Sequence, residues 1–153
     1  MKMINNYLYI VVLFTSLFFV NACAYTNSKE GSQSTEAIAE LKNTYWKILS
    51  IQGNPVVSVE GERELFMQLR FDDSLKGFAG CNAIMGSYTT KMRTLIFSNV
   101  ASTRKYCAPA MDQEQAYLQA LVLVIMFEIK GEHLYLYDQN DQLMFDLESV
   151  YLK

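Results

Sequence analysis

The sequence is poor in the parts from which most enzyme active sites are built. It has one histidine, His133, in 153 residues, and it lacks H-E-x-x-H, a phosphate-binding G-x-x-x-x-G-K-[ST] and G-x-S-x-G. Hydrolytic or metal catalysis needs convergent groups with matched proton affinities, and no such pair is visible. There is no basic cluster either. Thirteen Lys and Arg against sixteen Asp and Glu leave a formal charge of −3. The electrostatic footprint of a nucleic-acid-binding surface is therefore missing. Internal repeats and low-complexity tracts are absent, and the one long apolar run lies at the extreme N-terminus.

That run, residues 7–20 (YLYIVVLFTSLFFV), follows Lys2. A membrane-spanning helix needs about 20 apolar residues at about 1.5 Å rise each, so this shorter run reads as the core of a signal peptide. Val20-Asn21-Ala22-Cys23 comes directly after it and resembles the lipobox of bacterial lipoproteins, with Asn21 at the permissive position. The expectation is a signal peptide over residues 1–22 and a lipidated Cys23, the protein being attached to the membrane by its lipid. Each buried methylene contributes about 0.8 kcal/mol, so two or more acyl chains give stable attachment. The expected location is the cell envelope, at the periplasmic face or outer surface of the outer membrane.

Three cysteines are an odd number for an exported chain. Assigning Cys23 to the lipid leaves Cys81 and Cys107, which can close a disulfide in an oxidising compartment. A loop of that length stabilises by roughly 3.5 kcal/mol in the chain-entropy account. Two thiols with no histidine nearby in the sequence make a poor zinc site, so no metal and no cofactor are expected.

Residues 24–37 (AYTNSKEGSQSTEA) are polar and read as a tether that would span about 20 Å as a coil. The folded domain is expected over residues 38–153. Ser34-Thr35-Glu36 could cap a short helix bearing Ile38 and Leu41. Residues 45–51 are apolar and β-prone and end at the turn cluster Gln52-Gly53-Asn54-Pro55. In residues 64–71, Leu65, Met67, Leu69 and Phe71 alternate with polar positions, as in a strand with one buried face. Further strands are expected over 75–79, 86–90, 94–98, 127–130, 133–137 and 143–152, with residues 80–84 a loop. The main helix is expected over 109–125, with Pro109 in its first turn and Asp112 and Glu114 near its positive end. Leu118, Leu121, Val122 and Ile125 would form its buried stripe. This pattern predicts a mainly β fold, α+β by element count: an antiparallel barrel or strongly curled sheet packed against one helix.

Trp46, Gly53 and Leu69-x-Phe71 open a longer pattern. It continues as Gly77-Phe78-Ala79-Gly80-Cys81-Asn82, Gly86-Ser87-Tyr88, Leu95-Ile96-Phe97, Ser102-Thr103, Cys107, Met111 and Glu114-Gln115. Taken in order, it resembles the META/HslJ-like domain family over residues 41–145. Lys105-Tyr106 departs from the family, which more often has Met-Ala there. The resemblance implies a lipocalin-like antiparallel barrel or half-barrel wrapped against one helix, and envelope proteins linked to heat-shock and antibiotic stress.

Gly77 and Gly80 are expected to allow a bulge or a positive φ, and Asn82 to take a left-handed conformation and bond nearby backbone. The sharper reading makes Gly80, Asn82, Ser102 and Thr103 a loop cluster that binds a ligand. Trp46 should be a core anchor with its indole N–H on backbone, buried together with Phe71 and Leu121. Asp72, Asp73, Asp138 and Asp141 should be solvated turn residues. The expected function is non-enzymatic: a stress-related envelope lipoprotein that binds an apolar ligand or another envelope protein, without nucleic acid. The alternatives are an assembly or pilot-type chaperone and, with less support, a hydrolytic enzyme.

Overall fold

A computed structural model gives the structure of residues 38–58 and 60–150. The expected signal peptide, Cys23 and the expected tether lie outside the described residues. Of the short helix expected to bear Ile38 and Leu41, residues 38–41 are described and are not helical. Nine strands follow in order: β1 (Tyr45–Ile51), β2 (Asn54–Pro55), β3 (Phe66–Leu69), β4 (Ser74–Phe78), β5 (Ala83–Lys91), β6 (Thr94–Ser102), β7 (Met126–Lys130), β8 (His133–Tyr137) and β9 (Leu143–Val150). Between β6 and β7 come a 3-10 turn, Ala108–Ala110, and one α-helix, α1 (Met111–Leu123). The strands pair antiparallel in the order β2-β1-β3-β4-β5-β6-β7-β8-β9, and β9 pairs back onto β1. The result is a mainly β, ring-like sheet. Its weakest seam is β6–β7, where the ladder holds only the pair Thr94↔Met126.

Strand alternation accounts for the core. Trp46 and Ile48 on β1, Met67 and Leu69 on β3, Leu134 and Leu136 on β8 and Phe145 and Leu147 on β9 all point inward and are fully buried. Trp46 donates its indole N–H to the carbonyl of Leu41, 3.1 Å away, as an amphipathic core anchor should. From α1, Tyr117, Ala120 and Leu121 enter the same core, with Tyr117 edge-on to Phe145 at 5.3 Å between ring centroids. Burial raises the Tyr117 hydroxyl well above its ordinary pKa. The barrel interior is thus filled with side chains.

Several expectations need correction. Phe71 is 68% exposed, outside the core that holds Trp46 and Leu121. The strand stops at Leu69, and Arg70 and Ser74 close a turn through an N–H···O bond of 2.9 Å, which takes Phe71 out of the alternation. The α-helix starts two residues later than expected and ends at Leu123, because Val124 is already extended. Its buried positions are Glu114, Tyr117, Ala120, Leu121 and, just beyond it, Val124, whereas Val122 is 73% exposed. The loop expected over 80–84 ends sooner, with Ala83 opening β5 and Ile84 in the core. The turn cluster 52–55 closes a short hairpin, in which Asn54 and Pro55 pair back on Ile51 and Ser50.

Because successive strands alternate in direction, the barrel has two distinct ends. The β3–β4, β5–β6 and β7–β8 turns share one end with the chain that leads into β1. There Ala39 N–H bonds the Gly131 carbonyl at 2.9 Å, Asn43 N–H bonds the Leu69 carbonyl at 2.6 Å, and Lys42 pairs with Asp73 at 2.9 Å. The β4–β5 loop, the β8–β9 turn, the β1–β2 turn and the start of the helical connection lie at the other end. The helix runs from there to β7, packed against β6, β9 and β1.

Candidate functional site

The β4–β5 loop and the segment after β6 meet at the helix end of the barrel. Two glycines shape the approach. Gly80 has φ +104°, a conformation that side chains with a Cβ rarely adopt. Gly77 is needed for space: a Cβ there would lie 2.8 Å from both the Phe66 carbonyl oxygen and the Tyr117 hydroxyl. The positive φ expected as the alternative to a bulge at these glycines is found at Gly80, and the β5–β6 register shifts further on, between Met85 and Ser87.

Cys81 and Cys107 form a disulfide with their Cα atoms 5.8 Å apart, which joins the loop to the segment before α1. Beside it sits Asn82, only 2% exposed. Its backbone N–H donates to Glu114 Oε2 at 3.0 Å, and its side-chain N–H groups donate to Glu114 Oε1 and to the Lys105 carbonyl, each at 2.9 Å. Its Oδ1 accepts from Thr103 Oγ1 at 2.8 Å and from Lys105 N–H at 2.7 Å. An amide offers two donors and one oxygen with two lone pairs, so its capacity is used in full. Asn82 does not take the left-handed conformation; among the described residues that role falls to other asparagines, Asn43 and Asn99. Lys105 in turn pairs with Glu62.

Gly80, Asn82 and Thr103 are therefore brought together, and Ser102 is not a loop residue. It is the last residue of β6, paired with Ile84. The partner that sequence reasoning missed is Glu114, a buried carboxylate in the first turn of α1. The signal was present, since Glu114 belongs to the same motif series as Asn82, but an acid near a helix N-terminus reads by default as a solvated dipole partner. This constellation is a latch holding loop, strand end and helix in one arrangement. It has little hydrogen-bonding capacity left for a ligand.

His133 lies elsewhere, half-buried on the outer wall of β8. Its Nδ1 is 3.2 Å from Asp146 Oδ1, its ring stacks on Tyr135, and it faces Glu148 across the β8–β9 ladder. Among the described residues no three metal-ligating side chains converge, and no helix is long and apolar enough to cross a membrane. Asp138 is buried, contrary to expectation. Its Oδ1 accepts the N–H groups of Asn140 and Gln142, each at 2.8 Å, and these bonds, that from Gln142 foremost, hold its carboxyl below the usual pKa.

The surface feature of opposite character is on α1. Leu118, Val122 and Leu123, with Gln119 and with Gln52 from the β1–β2 turn, line an open depression of about 540 Å³. A second, smaller depression of about 250 Å³ lies between the β1–β2 hairpin and the first turns of α1.

The chain matches the META domain over residues 39–150. It belongs to the META domain family. No curated protein matches the chain. Among solved structures, the META chain resembles an NMR structure of a protein from Burkholderia xenovorans, with TM-score 0.60 and 23% identity over 73% of this chain and 85% of that one. A second NMR structure gives TM-score 0.56 at 17% identity, over 71% of this chain and 90% of that one. At these identities the likeness concerns the fold. It accords with the barrel and helix of the META domain described above.

Proposed function

We propose that this META domain is a non-enzymatic binding module, carried on a lipid-anchored envelope protein, that engages an apolar surface of another envelope protein through the outer side of α1. One observation carries the reading: Leu118, Val122 and Leu123 form an apolar patch on the helix, with Val122 73% exposed, while the barrel interior is filled. Apolar groups left together on a surface mark association sites more often than scattered single ones do. A filled interior favours a rim contact over an enclosed small ligand. Asn82, held by Thr103, fixes Glu114 in the N-terminal turn of the helix that carries the patch. His133 lies half-buried on the outer wall of β8 with Asp146 and Tyr135, and among the described residues no third metal-ligating side chain joins them, which favours binding over catalysis. The stress-related role implied by the family resemblance belongs to this reading as its physiological setting.

Site-specific photo-crosslinking in cells tests it. A crosslinker at Val122 should capture a discrete envelope protein, and Leu118→Asp or Leu123→Asp should abolish that product. A crosslinker at Lys76, exposed on the wall, should not give it. Equal products from both positions, or turnover of an envelope substrate that His133→Ala abolishes in folded protein, would refute the proposal.

A further inference from the structure

The end of the barrel opposite the β4–β5 loop carries a second set of exposed apolar side chains. Phe71 stands at the tip of the β3–β4 turn, 68% exposed, and Met92 at the tip of the β5–β6 turn, 87% exposed. Ile38, where the described chain comes in, is exposed at the same end. Cations bracket both tips: Arg70 precedes Phe71, and Lys91 and Arg93 flank Met92. Several of these charges are paired: Asp73 with Lys42, Asp72 with Arg70, and Glu128 with both Lys130 and Arg93, while Lys91 has no ion pair among the described residues. Isolated apolar tips ringed by long basic side chains suit the lipid–water boundary, where the chain's carbon stems lie among acyl groups and the charges reach the headgroups.

Attachment decides which end meets the bilayer. The inference rests on the reading of Cys23 as the lipid anchor. Fourteen residues separate Cys23 from Ile38. Ala39 and Asn43 bind the β7–β8 and β3–β4 ends of the barrel, so the chain enters at the end that carries the Phe71 turn and not at the end where α1 begins. The anchor keeps these tips at high effective concentration near the lipid, so even weak insertion is sufficient to orient the domain.

We infer that this end of the barrel rests on the bilayer, with Phe71 and Met92 set among the lipid headgroups, and that α1 consequently faces away from the membrane. The lipid surface is the partner of this end, and the helix patch is left free for a protein.

The test uses the full acylated chain in phosphatidylethanolamine–phosphatidylglycerol vesicles containing acyl-brominated lipid as quencher. Trp46 is fully buried and supplies a constant background. Phe71→Trp should add emission that is blue-shifted and quenched by the brominated lipid. Val122→Trp should add emission that is not quenched. Unquenched Phe71→Trp emission, or equal quenching at both positions, overturns the inference while the chain still sediments with the vesicles. An unmodified Cys23 on mass spectrometry of membrane-derived protein removes the anchor and the inference with it, so the two failures are told apart.

Discussion

Asn82→Ala should be among the most damaging single changes in the domain. It removes two side-chain donors, one to the Glu114 carboxylate and one to the Lys105 carbonyl, each at 2.9 Å. It also removes the acceptor for Thr103 Oγ1 and Lys105 N–H. A hydrogen bond to a charged group contributes about 1.5–3 kcal/mol and a neutral one about 0.5–1.5 kcal/mol. The sum overstates the loss, because Lys105 and Thr103 lie near solvent and can recruit water. Glu114 cannot do so easily, since it is 4% exposed and retains only the Asn82 backbone N–H of the donors described. A loss of about 3–4 kcal/mol follows, a large part of the 5–15 kcal/mol typical of a domain. Urea unfolding followed by Trp46 fluorescence measures it, because the buried indole becomes solvated on unfolding. Thr103→Val should cost only about 1 kcal/mol, and the Asn82→Ala, Glu114→Gln double variant should lose less than the two singles added together. A loss below about 1 kcal/mol for Asn82→Ala would refute the latch as a stabilising unit.

Replacing both Cys81 and Cys107 by Ala should lower stability by roughly 3.5 kcal/mol, the cost of freeing a loop of 26 residues, read by the same unfolding assay. Gly77→Ala should cost about 1–3 kcal/mol, because the new methyl group meets a backbone oxygen that cannot rotate away; a neutral effect would mean that β3 yields there. Leu121→Ala should cost about 2–5 kcal/mol, whereas Phe71→Ala in detergent-free aqueous solution should stay within about 0.5 kcal/mol, and calorimetry separates the two. The depressed pKa of Asp138 stabilises the fold when the carboxyl is ionised. Its contribution is therefore complete above the unfolded value near about pH 4 and is lost as pH falls through the lower folded value. Urea midpoints of wild type and Asp138→Asn should differ at neutral pH and converge in acid; a gap that persists at about pH 2 would show that the charge is not what matters.

Sequence patterning found β1 and β8 with their ends in place. β8 lies between two turns and alternates cleanly, while β1 is marked by its β-prone residues and the turn cluster that ends it, although its register shifts against β9 between Ile48 and Ser50. It placed Leu65, Met67 and Leu69 inward and failed at Phe71. Period-two alternation contains no mark of where pairing stops, and the Arg70–Ser74 turn is a tertiary fact. The face of α1 was misread for a related reason. Leu118 and Val122 are as apolar as Tyr117 and Val124, so the helix is apolar on more than one side, and only packing against Phe145 and Gly77 selects the buried one. Gly80, Asn82 and Thr103 were legible as a cluster through their spacing in the motif series. Their role was not legible, because it depends on a carboxylate 32 residues away, brought back by the helix. The difference between the two ends of the barrel appears only once strand directions are known.

The most direct test of binding through the helix patch is methyl NMR of the Ile-, Leu- and Val-labelled chain, titrated with the partner captured at Val122. Shifts confined to Leu118, Val122 and Leu123, with Ile48, Leu134, Leu136 and Leu147 unmoved, are the predicted result. Shifts centred on those interior methyls, with the helix patch unchanged, would contradict it.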